Sequence, residues 1–352
     1  MYRIKILFFL LLINQFYDLI GQDNVEEYHM LINNAELKIV ENKFEKSAIF
    51  YEKAFRIHNG FAIDLSNAFL AAYKCGNEEL MKYAASKLIE KGTGINYFNQ
   101  SRFANLKTSD FWIEFLNSEC KISEKKYLES INFQYRSSLE NLMKYDQEPR
   151  RPGLNLNLEV VNQIVHDSLL YFLETYGFPS EEKVGIWFSN DTFIKSISPF
   201  EFLVLHQFQS ERGADFIQIL KSAVQKGELK PIKLGFYAGI LDDESINFGC
   251  LDNNQIVLYQ INDLLYECSC KKMKVVNKRR KSFYLEPLEI TLKKIKYYCE
   301  VSSEFRLNIS YSHIYKEAND KVTNSTLEFL KKSNFKFKKK LKSSRSYFKG
   351  KY

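Results

Sequence analysis

The 352-residue sequence has few of the features that mark a membrane-spanning or metal-dependent protein. The apolar run Ile6 to Ile13 is eight residues long, whereas a membrane-spanning helix needs about 20. Of the six cysteines, only Cys268 and Cys270 lie close together, and no second cysteine or histidine pair follows at zinc-ligand spacing. The sequence also has no nucleophile motif and no phosphate-binding loop. These absences argue against a transmembrane segment and a metal site, and no cofactor is implied.

The net charge of +7 is concentrated at one end of the chain. Residues 331–352 contain ten Lys and Arg and no acid, and subtracting these ten charges leaves −3 for the remainder. The body is therefore slightly acidic, and the basic balance belongs to the tail. Hydrophobic content of 45% is ample for buried cores, which excludes wholesale disorder.

The N-terminus has the pattern of a secretory signal. Arg3 and Lys5 precede the apolar run, and Gly21 offers a small residue for cleavage. We therefore expect an exported protein that is periplasmic, envelope-associated or secreted. A buried N-terminal helix is the alternative. Export makes disulfides permissible, but sequence cannot choose among the pairings of six cysteines.

Residues 22–120 have helical periodicity and almost no strand signals. In the segment 42–54, the small residues Ser47 and Ala54 share a face beside Phe44 and Tyr51. A weaker copy follows about 33 residues later, with a turn expected at Gly76-Asn77. These residues resemble tetratricopeptide repeats, which implies a groove for a protein or peptide; a helical spacer is the alternative.

A series of polar landmarks follows in the central region. A helix is expected over Leu128 to Tyr145, delivering Asp146-Gln147 to a loop that Pro149 and Pro152 enforce. A carboxylate at a helix C-terminus opposes the helix dipole, so Asp146 needs a partner, and Arg150 or Arg151 is the nearest candidate. The other landmarks, in chain order, are Gly177-Phe178-Pro179, Val184-Gly185, His206, Gln255, Gln260 and Arg279-Arg280.

In this order the landmarks resemble those of a bacterial domain-of-unknown-function family, over about Leu128 to Lys294. The family pattern has an Asp-Gln pair, a Gln-His pair, a Gln-x-Tyr-Gly-Thr-Gln hairpin and a closing Arg-rich segment. The sequence departs from it at Leu205, Asp243, Val257-Leu258-Tyr259 and Tyr284. The resemblance implies a helix-rich domain with a small hairpin, and it implies no reaction.

The surviving polar residues define a hypothetical site. Asp146 and His206 could act as a general acid–base pair. Gln147, Gln255 and Gln260 could hydrogen-bond a substrate, and Arg150, Arg279 and Arg280 could bind an anion. The alternative is a hydrogen-bonded structural network, with His206 an ordinary core residue. The pairs His166-Asp167 and Asp242-Asp243 lack the partners that a metal site needs.

Towards the C-terminus the pattern predicts a long helix over Pro287 to Lys316, another over Asn319 to Asn334, and a solvated basic tail. The tail could contact an anionic envelope surface, and no nucleic acid is expected. The sequence thus predicts a mainly α protein with a signal peptide (1–21), repeats (22–120), a central domain (121–295) with a small β-hairpin, C-terminal helices (296–330) and a tail (331–352). A binding or scaffolding module is the first expectation for function, and a hydrolase using Asp146 and His206 is the alternative.

Overall fold

A computed structural model describes most of the chain from residue 24 to residue 340. The described residues are 24–151, 157–189, 193–194, 197–210, 212–238, 258–262, 264–268, 273–301, 304–307, 312–315, 324–325, 327–328, 330 and 335–340. The predicted signal peptide therefore lies outside the described residues.

The chain divides into two compact units. Unit 1 comprises residues 1–35 and 43–230, and unit 2 comprises residues 36–42 and 231–352. Helix α1 covers residues 24–40, of which 24–35 belong to unit 1 and 36–40 to unit 2. Helices from both sides of the predicted boundary at residue 120 lie in unit 1; the predicted domain limits stay predictions.

Unit 1 is mainly helical. Its further helices are α2 (Phe44–Phe55), α3 (Ala62–Cys75), α4 (Glu78–Glu90), α5 (Asp110–Asn117), α6 (Glu119–Ser130), α7 (Phe133–Gln147), α8 (Leu158–Tyr176), α9 (Glu181–Val184), α10 (Pro199–Gln209) and α11 (Ala214–Gln225). Short 3-10 helices occupy Ile95–Asn99, Ser101–Thr108 and Glu148–Arg150, and strands β1 (Phe188–Ser189) and β2 (Phe193–Ile194) pair antiparallel.

Helix α2 packs against α3, and α3 packs against α4, as the residue pattern predicts. Ser47, Tyr51 and Ala54 are fully buried, so the small side chains do lie where the neighbouring helix approaches. Gly76 ends α3 in the left-handed conformation at φ 73°, which glycine adopts without steric cost. Asn77 then caps α4 by accepting a hydrogen bond from the Leu80 amide at 3.0 Å. The predicted turn at Gly76-Asn77 is confirmed.

The region predicted as one helix over Leu128 to Tyr145 consists of two. Ile131 has extended backbone, and the Asn132 side chain accepts from the Tyr135 amide at 2.9 Å, which begins α7. The apolar residues Ile131 and Tyr135 are both buried, so the stripe was a correct indication of the core. The break was not predicted because an asparagine such as Asn132 can be either an N-cap or an exposed residue of a continuous helix.

Unit 2 combines helices with a four-stranded sheet. The helices are α12 (Pro231–Ala238), α13 (Met273–Lys281) and α14 (Leu288–Glu300), and the strands are β3 (Leu258–Ile261), β4 (Leu264–Cys268), β5 (Ser312–Tyr315) and β6 (Phe335–Lys340). The order is β5-β3-β4-β6, with β3–β4 and β4–β6 antiparallel and β3–β5 parallel. The fold is thus mainly α with a small hairpin, β3–β4, as the sequence predicts.

Three predictions for unit 2 need correction or lie beyond the structure. Helix α14 ends at Glu300, and residues 312–315 form a strand where the pattern predicts helix. Residues 335–340, expected in a solvated tail, form β6 against β4, where Phe and Lys alternate with the period of a strand. For the small hairpin, the sequence pattern predicts a strand over Asn254 to Gln260 with Asp242 to Leu251 as its partner. Residues 242–251 lie outside the described residues, and β3 pairs with β4.

Candidate functional site

Three helices of unit 1 bring the candidate acid–base pair together. Asp146 lies in the last turn of α7, and His206 lies near the end of α10. Helix α10 begins at a capping box, in which Ser198 and Glu201 exchange side-chain and backbone hydrogen bonds. Because α7, α8 and α10 pack on one another, residues 60 positions apart in sequence meet side by side.

The Asp146 carboxylate is fully buried and accepts hydrogen bonds from three side chains. His206 Nδ1 lies 2.7 Å from Oδ2, and Gln147 Nε2 lies 2.6 Å from the same oxygen. Arg150 holds both oxygens, with Nη2 at 2.9 Å from Oδ1 and Nε at 3.3 Å from Oδ2. The expected partner of Asp146 is therefore Arg150, in the two-point geometry that carboxylates favour.

These contacts keep Asp146 ionised. Burial by itself would raise the pKa of this carboxyl group, but the hydrogen bonds from His206, Arg150 and Gln147 outweigh it and lower the pKa to about 2. Asp146 is consequently a fixed negative charge at any physiological pH. A negative charge at a helix C-terminus is unfavourable, and Arg150 offsets it directly.

The state of Asp146 determines the tautomer of His206. An ionised carboxylate can only accept, so the proton of the ring lies on Nδ1. In the neutral ring, Nε2 then carries the lone pair. This nitrogen forms no hydrogen bond with any residue that the structure describes, and the side chain remains 13% exposed. Phe202 contacts the ring edge to face, with centroids 4.6 Å apart.

Arg150 is in turn held by a residue of α8. Its Nη2 donates to Asn162 Oδ1 at 2.6 Å, in addition to Asp146. Asn162 and His166 stand four residues apart on the buried face of α8, among Val161, Val165 and Leu169. The role of Asn162 was not predicted. The signal available in the sequence was a pair of polar residues on an otherwise apolar helical stripe.

Two other histidines of unit 1, His58 and His166, use both ring nitrogens. His58 Nδ1 accepts from the Gly60 amide at 3.0 Å, and Nε2 donates to the Gly227 carbonyl at 3.0 Å. His166 has Asp167 Oδ1 at 3.1 Å from Nδ1 and Asp215 Oδ2 at 2.9 Å from Nε2. In contrast to these two rings, His206 has one nitrogen, Nε2, that forms no hydrogen bond with a described residue.

The remaining predicted site residues belong to unit 2 or lie beyond the structure. Gln260 is buried in β3, and its Nε2 donates to the Asn262 carbonyl at 2.9 Å. Arg280 is buried and donates to the Glu286 carbonyl at 2.7 Å and to Thr291 Oγ1 at 2.6 Å. Arg279 is half-buried on α13. Gln255 lies outside the described residues. The structure thus brings together Asp146, Gln147, Arg150 and His206.

Neither metal-binding clusters nor membrane-spanning helices occur in the described part of the chain. No group of three or more His, Cys, Asp or Glu side chains there is placed to hold a metal ion. No helix there has the length and apolar content needed to cross a membrane.

Comparison with protein-family models, curated proteins and solved structures finds no match for the chain. The resemblances to tetratricopeptide repeats and to a bacterial domain-of-unknown-function family therefore stay predictions. The assignment of a function has to begin from the geometry of the site.

Proposed function

We propose that unit 1 contains an acid–base site of a hydrolase-like enzyme, centred on His206. One observation carries the proposal: His206 Nδ1 is held by a buried, ionised Asp146, while Nε2 has no partner among the described residues. Because the His206 side chain is 13% exposed, this nitrogen can take a proton from water or from a bound molecule, whereas a ring nitrogen that is bonded to a protein group cannot.

The chemistry that this pair supports is activation of a water molecule. His206 Nε2 removes a proton from water as its oxygen forms a bond to the carbonyl carbon of an ester or amide. The resulting imidazolium is stabilised by the Asp146 carboxylate on the other side of the ring. The same Nε2 proton then passes to the leaving oxygen or nitrogen as its bond to carbon breaks. No oxidant, metal or second protein nucleophile is needed.

Arg150 and Gln147 act as positioning residues in this proposal. Both bind Asp146, so they fix the direction of its oxygens and hence the orientation of the imidazole ring. Asn162 supports Arg150 from α8. An orienting carboxylate that is itself held by several donors has little freedom to swing away, which is the condition for a reproducible proton acceptor.

A binding or scaffolding module is the second candidate, and an exposed apolar stripe on α8 favours it. Val160, Ile164 and Tyr171 have exposed fractions of 52%, 42% and 60%, and helical spacing places them on one side of α8. Exposed apolar residues that form a continuous stripe indicate a protein contact more than single ones do. Export, and peptide binding by the predicted repeats, belong to this second proposal.

Activity against a panel of p-nitrophenyl esters and anilides tests the first candidate. The variant His206→Asn removes the base but leaves Asp146 with Arg150 and Gln147, so the fold should persist. We expect a loss in kcat on the order of 10²–10⁴. His166→Asn, which alters a ring with both nitrogens occupied, is the matched control and should keep the activity. Equal rates for the wild type and His206→Asn on every hydrolysed substrate would refute the proposal.

The apolar stripe can be tested without reference to catalysis. Ile164→Glu places a charge at its centre, and a photo-crosslinking side chain at position 164 reports what covers it. If the second candidate is correct, the crosslink forms to one defined partner and is lost when Tyr171 is changed to Ser. Crosslinks to no partner, with hydrolysis intact, would leave the first candidate alone.

A further inference from the structure

Helix α13 of unit 2 carries a ridge of three exposed lysines. Lys274, Lys278 and Lys281 are each exposed, and their spacing of four and three residues places them on one side of the helix. With a rise of about 1.5 Å per residue, their positions are separated by about 6 Å and 4.5 Å along the axis. Val276 and Arg280 face the interior on the opposite side.

The ridge has no carboxylate partner in the described part of the chain. Unit 2 does form ion pairs elsewhere, such as Lys294 with Glu36 and Glu286, and Lys296 with Glu267. None of the three ridge lysines takes part in one. The Glu289 carboxylate accepts from the Asn277 side chain of this helix at 2.9 Å, and Glu286 interacts with Arg280 on the buried side. Between residues 273 and 300 the chain has eight bases and three acids.

The stability of the helix does not account for this arrangement. Bases in the last turn of a helix offset its dipole, which explains Lys278 and Lys281. Lys274 lies in the first turn, where a positive charge opposes the dipole. Like charges at positions i and i+4, such as Lys274 and Lys278, also destabilise a helix. An external anion would remove both costs.

Exposed apolar side chains beside the bases favour one kind of anion. Val275 follows Lys274 on α13 and is 48% exposed. On β6, Phe337 is 57% exposed between the exposed Lys336 and Lys338. The backbone of a nucleic acid offers phosphates with little apolar surface beside them, whereas the interface of a lipid bilayer offers phosphate groups and apolar contact side by side.

We propose that unit 2 binds the headgroups of anionic phospholipids through Lys274, Lys278 and Lys281, with Val275 at the edge of the contact. The interaction is peripheral and electrostatic, and it falls as salt screens the charges. It is independent of the acid–base site in unit 1. It also places anion binding on a folded helix, in addition to the tail for which the sequence predicts it.

Sedimentation of the full-length protein with vesicles tests this proposal. We expect binding to phosphatidylcholine vesicles that contain phosphatidylglycerol and none to phosphatidylcholine alone. The triple variant K274Q/K278Q/K281Q should weaken binding by about 10- to 100-fold, and Val275→Ser by a few-fold. The control K46Q/K107Q/K121Q removes three exposed lysines of unit 1 and should bind like the wild type.

Three results would overturn the proposal. Failure of the wild-type protein to sediment with the anionic vesicles would be the first. Equal weakening by the ridge and control variants would show that only net charge matters. Preferential binding to a double-stranded oligonucleotide in competition with the vesicles would indicate a nucleic-acid ligand instead. Because the ridge side chains are exposed, circular dichroism should show that all variants remain folded.

Discussion

His58 and His206 lie in the same unit, and their rings are held in opposite ways. His58 accepts a backbone amide proton on Nδ1 and donates from Nε2 to a backbone carbonyl. His206 donates from Nδ1 to a carboxylate and leaves Nε2 without a partner among the described residues. The two neutral rings are therefore opposite tautomers. Both ring nitrogens of His58 are hydrogen-bonded to the backbone, whereas Nε2 of His206 can exchange a proton with water or a bound molecule.

The charged groups around the two rings also differ. Burial lowers the pKa of His58, which keeps its ring neutral. Nearby, Lys91 is paired with both Glu181 and Glu182, so the charges of that region are balanced within the fold. Around Asp146, the donors are arranged to hold one carboxylate against one imidazole. The reason to consider His206 functional is thus its partly exposed, unpaired ring nitrogen next to a fixed carboxylate, and not the size of the polar cluster.

Asp146→Asn should have the largest effect on stability. The change removes a buried charge that pairs with Arg150, and a partly exposed arginine left behind costs about 2–3 kcal/mol. Asp64→Asn is a suitable comparison, because Asp64 is equally buried and pairs with Lys230 at 2.7 Å. Urea unfolding should show a loss for both variants, whereas hydrolysis should be lost only for Asp146→Asn. Loss of hydrolysis in both variants would show that destabilisation of unit 1, and not removal of the partner of His206, abolishes the activity.

Acid should destabilise unit 1 in two separate pH ranges. The folded state lowers the pKa of Asp146 from 3.8 to about 2, so between these values the unfolded chain binds more protons. This stabilisation, about 2 kcal/mol, is complete above about pH 4 and is lost as the pH falls through about 2. The lowered pKa of His58 also means that the unfolded chain binds more protons. The stability that it contributes is therefore lost as the pH falls below 6.5.

Unfolding free energies measured at several pH values test this assignment. Asp146→Asn should reduce the decrease below pH 4, to which carboxyl groups with lowered pKa such as Glu90 and Glu182 also contribute, and should leave the decrease near pH 6 in place. His58→Gln should leave the decrease below pH 4 and reduce the decrease near pH 6, to which His29 also contributes because burial lowers its pKa well below the usual value. Retention of the full acid decrease in Asp146→Asn would show that other carboxyl groups produce it.

Asn162→Ala should destabilise unit 1 less than Asp146→Asn does. Arg150 would lose one acceptor but keep both hydrogen bonds to Asp146, so we expect about 1 kcal/mol of destabilisation. A several-fold drop in kcat without a change in KM would show that Asn162 acts through the orientation of Arg150 and Asp146. Unchanged kcat would restrict Asn162 to stability.

The sequence predicted the local parts of the site and missed its long-range parts. The end of α7 at Asp146-Gln147 follows from Pro149, and Arg150 is four residues from the carboxylate that it binds. The contact of Arg150 with Asn162 depends on how α8 packs, and no periodicity encodes that packing. The same reason explains the sheet of unit 2. A small hairpin was predicted, but with residues 242–251 rather than β4 as the partner of the strand near Gln260. Strand β5 pairs with β3, and β6 pairs with β4, across 54 and 67–76 residues of sequence.

The tautomers of His206 and His58 can be measured directly. Long-range proton–nitrogen NMR spectra of the protein with labelled histidine distinguish a protonated from an unprotonated ring nitrogen. For the neutral rings, we expect a proton on Nδ1 of His206 and on Nε2 of His58, and the Asp146→Asn variant should change only the first. A proton on Nε2 of neutral His206 would contradict the account, because that ring could not accept a proton from water.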